Sequence, residues 1–274
     1  MTPERSVCAL VAYDGTDFSG FQVQANAPHT IQGALEEGLG KLTGQANRVH
    51  GSGRTDAGVH AHGQVIAVTV EWKHSLFALC QAWNRFLPEA IVIRKIVEAP
   101  SGFHPRFSAT LRTYRYTVYH PAGDALENVQ RFPLLARFAW VEKQRLDVEE
   151  MNRAARLLIG EHDFATFGLP TQGDSTVRRI EELKWTAEDG VVRLDMPHLQ
   201  RLILTVTANG FLRRMARNLT GTLLAVGRGQ WQMEDVASAL AAQDRSRSAP
   251  PVVPNGLVLE RVTYSDYPHL FLEE

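Results

Sequence analysis

The sequence predicts an α+β protein built from two related domains, and two observations support this prediction. The chain has 274 residues, more than a typical single domain, with 44% hydrophobic and 22% charged residues, as in ordinary globular proteins. Each half shows strand patterns interrupted by helical patterns, which favours two α/β-sandwich domains related by duplication. We expect domains at 1–110 and 111–274, whose antiparallel or mixed sheets join around a central cleft.

Apolar and alternating runs predict the elements of the first domain. The predicted strands are 7–13, 47–50, 64–71 and 91–98, and the predicted helices are 31–42 and 74–86. Thr30 is a suitable cap for the first helix, and Pro88 ends the second.

The second domain repeats this pattern. The predicted strands are 111–119, 177–185, 190–194, 202–207 and 256–264, and the predicted helices are 147–159, 209–226 and 234–242. Strand 111–119 mixes polar and apolar side chains on both faces, whereas a purely structural strand keeps one face clean. This strand is therefore a candidate for a functional role.

Composition argues against several classes of protein. Cys8 and Cys80 both fall in apolar patterns, so we interpret them as core residues without a disulfide framework or a Cys-rich zinc site. The N-terminus lacks the apolar region of a signal peptide. No stretch reaches the roughly 18 apolar residues of a membrane span. We therefore expect a cytoplasmic protein with no membrane partner.

Basic residues are concentrated in two stretches although the net charge is only −1. Residues 196–233 contain five arginines and no acid, and residues 94–115 contain five basic residues against the single acid Glu98. Such stretches can form a phosphate-binding face on a protein that is neutral overall.

The Gly-rich stretch 51–63 is the strongest candidate site. Its four glycines allow sharp turns, and it carries Asp56, Arg54, His60 and His62. An acid held on a tight loop at strand ends is typical of a functional site. A hairpin whose Arg and Asp only cap backbone groups would have the same composition.

For most reactions that this stretch could support, the other residues or motifs that the reaction needs are missing from the sequence. His60 and His62, with Asp56 and His50 nearby, are ligands that zinc or iron accepts, but no second cluster follows downstream, so we expect no metal. Ser52 lacks a nucleophile elbow, and neither a phosphate-binding nor a dinucleotide-binding motif is present. We therefore expect no cofactor.

These exclusions leave Asp56 as a candidate carboxylate nucleophile. A carboxylate nucleophile must be ionised, and neighbouring guanidinium groups keep its pKa low. The predicted helix 209–226 offers them, because Arg213 and Arg217 are four residues apart and would share one helix face. Solvated arginines on an amphipathic helix are the alternative, and for Arg214 we favour it.

Seven short segments, in order along nearly the whole chain, then indicate a family. They are YDG (13–15), GRTDAGVH (53–60), FHPRFS (103–108), RTYRY (112–116), DFATF (163–167), NGFLRRMARN (209–218) and GLVL (256–259). Together they resemble the tRNA pseudouridine synthase I (TruA) family. The resemblance implies the pseudouridine synthase fold and isomerisation of uridine in the tRNA anticodon stem-loop, at positions 38 to 40. It also implies a homodimer that holds the tRNA across both subunits.

The resemblance also implies a role for each matching residue. Asp56 matches the catalytic aspartate, and Arg217 matches the arginine that pairs with it. Tyr114 matches the tyrosine that packs against the target base and helps to remove the C5 proton. Arg54 matches the basic residue that occupies the space of the flipped nucleotide. Whether Asp56 attacks C1′ of the sugar or C6 of the base stays open.

The basic stretches supply further expected RNA contacts, and two positions depart from the family pattern. We assign Arg106 and Arg213 to substrate binding. The family usually has Trp where this chain has Phe21, and it often has His-Met-Val-Arg where this chain has Arg-Met-Ala-Arg at 214–217. Both departures lie beside the assigned roles, so they affect fine substrate contacts and not the reaction.

Two other functions are compatible with parts of this sequence. An RNA-binding module without catalysis would also use basic, aromatic strands, but the RNP1 motif is missing and an idle Asp56 would oppose RNA binding. A metal-dependent hydrolase built on His60 and His62 would contain stoichiometric zinc and lose its activity in a chelator.

Overall fold

The computed structural model describes residues 3–27, 29–121, 133–171, 173–188 and 199–271. The chain divides into two compact units: unit 1 comprises Met1–Arg112 and Val258–Glu274, and unit 2 comprises Thr113–Leu257. The division after Arg112 lies two residues from the division at 110 that the sequence suggested. The last strand belongs to unit 1, whereas the sequence placed it with the second domain. The predicted strand 190–194 lies outside the described residues.

The described residues form ten strands and six helices, which confirms the α+β class. In chain order they are β1 Glu4–Tyr13, α1 Ile31–Thr43, β2 His50–Gly51, β3 His60–Glu71, α2 Leu76–Asn84, β4 Ile91–Glu98, β5 Leu111–Pro121, α3 Pro133–Ala136, β6 Trp140–Val141, α4 Val148–Arg156, β7 Gly160–Asp163, β8 Val177–Glu188, β9 Leu199–Ala208, α5 Met215–Gly227, α6 Met233–Ala242 and β10 Leu257–Thr263.

In unit 1 the strands are hydrogen-bonded in the order β4-β1-β3-β10, with β2 paired to β3. β1 runs antiparallel to both β3 and β4, and β10 runs parallel to β3. The expected cap of α1 is confirmed, because Thr30 Oγ1 accepts a hydrogen bond from Gly33 N at 3.2 Å. α2 packs on β4 and on α1, where the buried Trp83 Nε1 donates to Leu35 O at 3.1 Å. The core of this unit thus lies between its helices and its sheet.

In unit 2 the strands are hydrogen-bonded in the order β5-β9-β8-β7, with β6 parallel to β5. α4 packs on β8 and on α5, and α5 is buried along almost its whole length. Asp147 caps α4, since its carboxylate accepts from Glu150 N at 3.0 Å. The largest fully buried side chains of this unit are Trp185, Tyr116, Phe164, Phe167 and Met151.

An asparagine on a helix replaces a missing strand neighbour in each unit. Asn84 of α2 donates to Ile93 O and accepts from Ile93 N, both at 2.8 Å, on the edge strand β4. Asn152 of α4 donates to Trp185 O at 3.0 Å and accepts from Trp185 N at 2.8 Å. β7 pairs with β8 only from Val177 to Ile180, so Trp185 lies beyond that pairing. A strand edge without a neighbour presents unpaired backbone groups, and each amide satisfies one donor and one acceptor.

We expect Asn84→Asp to destabilise unit 1 by about 1–3 kcal/mol, because Ile93 O loses its donor and a carboxylate is placed next to that carbonyl oxygen. The midpoint of urea unfolding measures the loss. Gln81→Glu is the matched control, since Gln81 is an exposed amide on the same helix. Equal midpoints for the two variants would contradict the assigned role of Asn84.

Two predicted boundaries are wrong by four residues or more, and each error has a physical cause. β3 begins at His60 and not at Gln64, because Gly63 is part of the strand and not of the turn. A Cβ at Gly63 would overlap Glu260 O of the neighbouring β10, so this glycine permits close approach of two strands. The helix predicted to begin at 209 begins at Met215, after Arg214 adopts a left-handed φ of 64°.

Candidate active site

The loop between β2 and β3 holds Asp56, and backbone hydrogen bonds fasten it to unit 1 along its length. Ser52 N donates to Val65 O at 2.8 Å, and Phe21 N donates to Thr55 O at 3.1 Å. Val59 N donates to Asp56 O at 3.1 Å, which closes a turn directly after the acid. The carboxylate therefore stands on a backbone that is restrained on both sides.

A buried polar network joins this loop to the neighbouring strands β1 and β3. Tyr13 Oη is 2.8 Å from Thr55 Oγ1, Gln64 Nε2 donates to Gly53 O at 3.1 Å, and Ser52 Oγ is 2.5 Å from Gln64 Oε1. Burial raises the pKa of Tyr13 to about 12, so its phenol keeps its proton near neutral pH. Ser52 is thus a buried structural hydroxyl and not a nucleophile.

The segment after β1 packs against the same loop. Gly20 has φ +95°, and a Cβ there would lie 2.7 Å from Thr55 O, so only glycine fits this position without strain. The ring of Phe21 packs on Gly51 and is 3% exposed. The departure from the family pattern at Phe21 is therefore a change in the packing beneath the loop.

Side-chain exposure along the loop is graded. Ser52, Thr55 and Val59 are buried, Asp56 is half-buried and Arg54 is exposed. The buried side chains anchor the loop, whereas the acid and the guanidinium keep part of their surface accessible to solvent. A half-buried carboxylate beside an exposed cation suits a nucleophile that meets an anionic substrate.

The two imidazoles at the start of β3 have different acidic neighbours. His60 is buried, and its Nδ1 lies 3.0 Å from Asp14 Oδ1. His62 is exposed, and its Nδ1 lies 3.1 Å from Glu260 Oε2. Among the described residues, no group of three or more His, Cys, Asp or Glu side chains could hold a metal ion. His60 Nδ1 also accepts a hydrogen bond from Gly15 N at 3.1 Å, so this imidazole is held by the turn that follows β1.

Arg112 is a residue of this region that the sequence did not single out. Its Nη2 donates to Ser52 O at 3.0 Å and to Arg106 O at 2.8 Å, and its Nη1 donates to Ala109 O at 3.4 Å. One guanidinium thus connects the Asp56 loop to the segment 103–109. Its position within the RTYRY motif was the available signal, but its carbonyl partners are invisible in the sequence.

We expect Arg112→Met to loosen both segments, because Met keeps the apolar stem but removes every donor. Hydrogen–deuterium exchange of peptides covering residues 51–60 and 103–109 should accelerate about fivefold or more. Arg48→Met is the control, since Arg48 is an exposed arginine with one long ion pair to Glu36, 3.4 Å away. Unchanged exchange at both segments in Arg112→Met would refute this role.

Tyr114 of β5 is the aromatic candidate, and it lies in unit 2. It is 8% exposed, and its ring contacts Phe211 edge to face with 4.9 Å between centroids. Tyr116 and Val118, on the same strand face, are buried, and Tyr116 Oη donates to Val253 O at 3.0 Å. This face of the strand therefore orients Tyr114 through packing.

Arg217 lies in the first turn of α5 and is half-buried. Its Nε donates to Val252 O at 2.8 Å, and its own carbonyl oxygen accepts from Val252 N at 3.2 Å. These two hydrogen bonds fix the arginine to the Pro-rich segment before β10. The Nε of this guanidinium is thus held by a backbone carbonyl oxygen.

Arg213 does not share a helix face with Arg217, so that prediction is wrong. Arg213 precedes α5, and its N–H donates to Leu169 O at 2.8 Å in an isolated antiparallel bridge. Arg213 and Arg214 are both exposed. Arg245 is nearby, because its Nη2 donates to Asn218 Oδ1 of α5 at 2.8 Å. The start of α5 is therefore surrounded by arginines.

The two cysteines lie outside the candidate site. Cys8 and Cys80 are free thiols, and Cys8 is buried. Burial raises the pKa of the Cys8 thiol to about 12, which makes it unreactive near neutral pH. Over the described ranges, no helix is both long and apolar enough to cross a membrane.

The candidate residues thus fall into two sets. Arg54, Asp56 and Arg106 belong to unit 1, and Tyr114, Arg213 and Arg217 belong to unit 2. Within unit 1, Arg106 O and the Asp56 loop share the donors of Arg112.

Comparison with known proteins assigns the family. A family model described as tRNA pseudouridine synthase matches residues 9–108 and 154–265. "tRNA pseudouridine synthase A" of Geobacter sp. (strain M21) is 40% identical over 264 residues, covering 96% of this chain and 100% of that protein. The protein of that name from Roseiflexus castenholzii (strain DSM 13941 / HLO8) is 40% identical over 263 residues, covering 96% and 92%. The chain belongs to the tRNA pseudouridine synthase family.

Proposed function

We propose that this protein isomerises uridine to pseudouridine in the anticodon stem-loop of tRNA, at positions 38 to 40, with Asp56 as the nucleophile. The observation that carries the proposal is the presentation of a half-buried Asp56 on a loop whose neighbours Thr55 and Val59 are buried and hydrogen-bonded. Membership of the tRNA pseudouridine synthase family supports the choice of reaction.

The reaction breaks the C1′–N1 bond of uridine, turns the uracil and joins C1′ to C5. The C5 proton is lost to solvent, and N1 takes up a proton, so atoms and electrons balance without an oxidant or a reductant. The Asp56 carboxylate forms a bond either to C1′ or to C6, and it is released again when the product forms. Such a step needs an ionised, oriented carboxylate.

Each remaining candidate has a part in this proposal. Tyr114 packs against the target uracil and assists the loss of the C5 proton. Arg217 is the cationic partner that keeps Asp56 ionised. Arg54 fills the space that the flipped uridine leaves, for which its exposed position beside Asp56 is suitable. Flipping a nucleotide costs a few kcal/mol, and an aromatic platform offsets part of this cost.

We also propose that the enzyme works as a homodimer in the cytoplasm, where its tRNA substrate is found. The basic residues Arg106 and Arg213 bind the RNA backbone. Phosphate contacts of this kind position the RNA without selecting a sequence, so base contacts near Asp56 must select the uridine.

Mapping of pseudouridine in an unmodified tRNA transcript tests the proposal. After incubation with the protein, carbodiimide adducts stop primer extension at each pseudouridine, and we expect stops at 38, 39 or 40 wherever uridine is present. A transcript with cytidine at these positions is the matched control. Stops only in other stem-loops would refute the proposed site of action, and the absence of stops in any tRNA would refute the function.

We expect Arg213→Ala to weaken tRNA binding and to reduce the slope of log Kd against log salt by about one, because one phosphate contact is lost. Titrations between low and physiological salt measure this slope. Arg153→Ala is the control, since the exposed Arg153 is paired with Glu150 at 2.8 Å. A slope equal to that of the unaltered protein would show that Arg213 does not contact phosphate.

A further inference from the structure

The segment 103–108 is a turn that its own side chains hold rigid. Ser108 N donates to His104 O at 3.0 Å, and His104 N donates to Ser108 Oγ at 3.1 Å. His104 Nδ1 accepts from Arg106 N at 3.1 Å and from Phe107 N at 3.4 Å. Burial, with the charges of His50 and Arg106, lowers the pKa of His104, so the imidazole stays neutral and keeps this acceptor.

The turn is also fixed to the rest of unit 1. Arg112 Nη2 donates to Arg106 O at 2.8 Å, and Tyr264 Oη donates to Pro105 O at 2.8 Å. The ring of Phe103 contacts those of Tyr264 and Tyr267, with centroids 5.0 and 5.3 Å apart. The backbone of the turn is therefore anchored on its inner side.

This rigid turn holds Phe107 in solvent, with 70% of the residue exposed. The Phe107 ring stacks on His104 with 4.4 Å between centroids and an interplanar angle of 33°. The Arg106 guanidinium carbon lies 5.8 Å from the Phe107 centroid, and the exposed His50 lies 5.9 Å from His104, ring to ring. We call Phe107, Arg106, His104 and His50 the aromatic platform.

The surroundings of the aromatic platform suit an anion. Glu98 is the single acid in residues 94–115, and its carboxylate is paired with Arg5. His50 immediately precedes the Gly-rich loop that bears Asp56, so the platform adjoins the region proposed for catalysis. An exposed aromatic ring beside a guanidinium is the arrangement that binds an unpaired nucleotide, by stacking on the base and by attraction to the phosphate.

We propose that the aromatic platform binds one unpaired nucleotide of the RNA substrate, next to the target uridine, with its base stacked on Phe107 and its phosphate near Arg106. This inference rests on the proposed function, because it takes RNA as the substrate. It adds a binding site for a nucleotide that is not itself modified. The site strengthens RNA binding and leaves the chemical step unchanged.

Substitution of Phe107 separates the contribution of base stacking to tRNA binding from the contributions of other contacts. We expect Phe107→Ala and Phe107→Leu to raise the Kd for substrate tRNA about fivefold to 100-fold, since stacking needs an aromatic face. Phe107→Trp should restore the Kd to within about threefold of the unaltered protein. The rate at saturating tRNA should stay within about threefold in every variant. Phe107 is exposed, so its replacement leaves the core intact, and circular dichroism checks that each variant is folded.

Changes to the RNA identify the stacked nucleotide. Single abasic substitutions are placed in turn at each unpaired position of the anticodon loop, and the Kd is measured with the unaltered protein and with Phe107→Ala. At one position the two losses should fail to add, as expected for partners in direct contact. Additive losses at every loop position would overturn the proposal.

Three further outcomes distinguish the aromatic platform from the proposed function and from a dimer contact. An unchanged Kd in Phe107→Ala would overturn the aromatic platform while leaving the proposed function intact. Two results together would replace RNA stacking by a contact between two copies of the chain. Phe107→Leu would bind tRNA normally, and sedimentation would show that Phe107→Ala dissociates a dimer. Absence of pseudouridine with the unaltered protein refutes the proposed function alone, because the platform is read from the Kd.

Discussion

Asp56→Asn is expected to abolish release of tritium from tRNA labelled at uridine C5, lowering the single-turnover rate by at least about 10⁴-fold. The reason is chemical: an amide cannot form the bond to C1′ or C6 that a carboxylate forms, and loss of a nucleophile costs this much or more in other enzymes. Asn has nearly the same shape as Asp, so the backbone bonds at Thr55 and Val59 should persist.

The control for this prediction is Asp266→Asn, an exposed aspartate of the same unit, which should react within about threefold of the unaltered protein. Binding of tRNA by Asp56→Asn should be retained, which separates a chemical defect from a binding defect. Tritium release by Asp56→Asn at more than about a hundredth of the normal rate would remove Asp56 from the chemical step.

Tyr114→Phe is expected to lower the single-turnover rate by about 10²- to 10⁴-fold, the usual contribution of a positioned acid–base group. The substitution keeps the ring, and with it the edge-to-face contact with Phe211. Binding of tRNA should therefore change little, and the defect should appear in the rate and not in the Kd. Rapid-quench measurement of tritium release resolves the two.

Tyr116→Phe is the matched control, since Tyr116 lies two residues further along the same face of β5. Its hydroxyl donates to Val253 O, so the variant should lose about 1 kcal/mol of stability and keep a normal rate. A normal rate in Tyr114→Phe would show that the ring of Tyr114 packs against the base without taking part in proton removal.

Features that depend on neighbouring residues were predicted well. The predicted cap Thr30 accepts a hydrogen bond from Gly33 N in the first turn of its own helix, so its effect is encoded in a few adjacent residues. The loop with Asp56 was identifiable for the same reason, because its glycines and its charged residues are adjacent. The reaction itself was predicted from the family resemblance, because composition alone does not indicate it.

Long-range contacts explain what the sequence did not predict. Gly63 suggested a turn, but it is needed where β10 approaches β3 closely. The helix that holds Arg217 begins late because Arg213 pairs with Leu169, more than forty residues away. Arg112 binds the carbonyl oxygen of Ser52 across sixty positions. None of these partners can be identified from local pattern or propensity.

The most direct test of the central claim is nucleoside analysis of an unmodified tRNA transcript after incubation with the purified protein in a chelator. We predict that pseudouridine appears as uridine disappears, one for one, with no change in the mass of the tRNA, and that Asp56→Asn leaves uridine unchanged. A transcript that keeps all its uridine with the unaltered protein would contradict the account, as would equal conversion by Asp56→Asn.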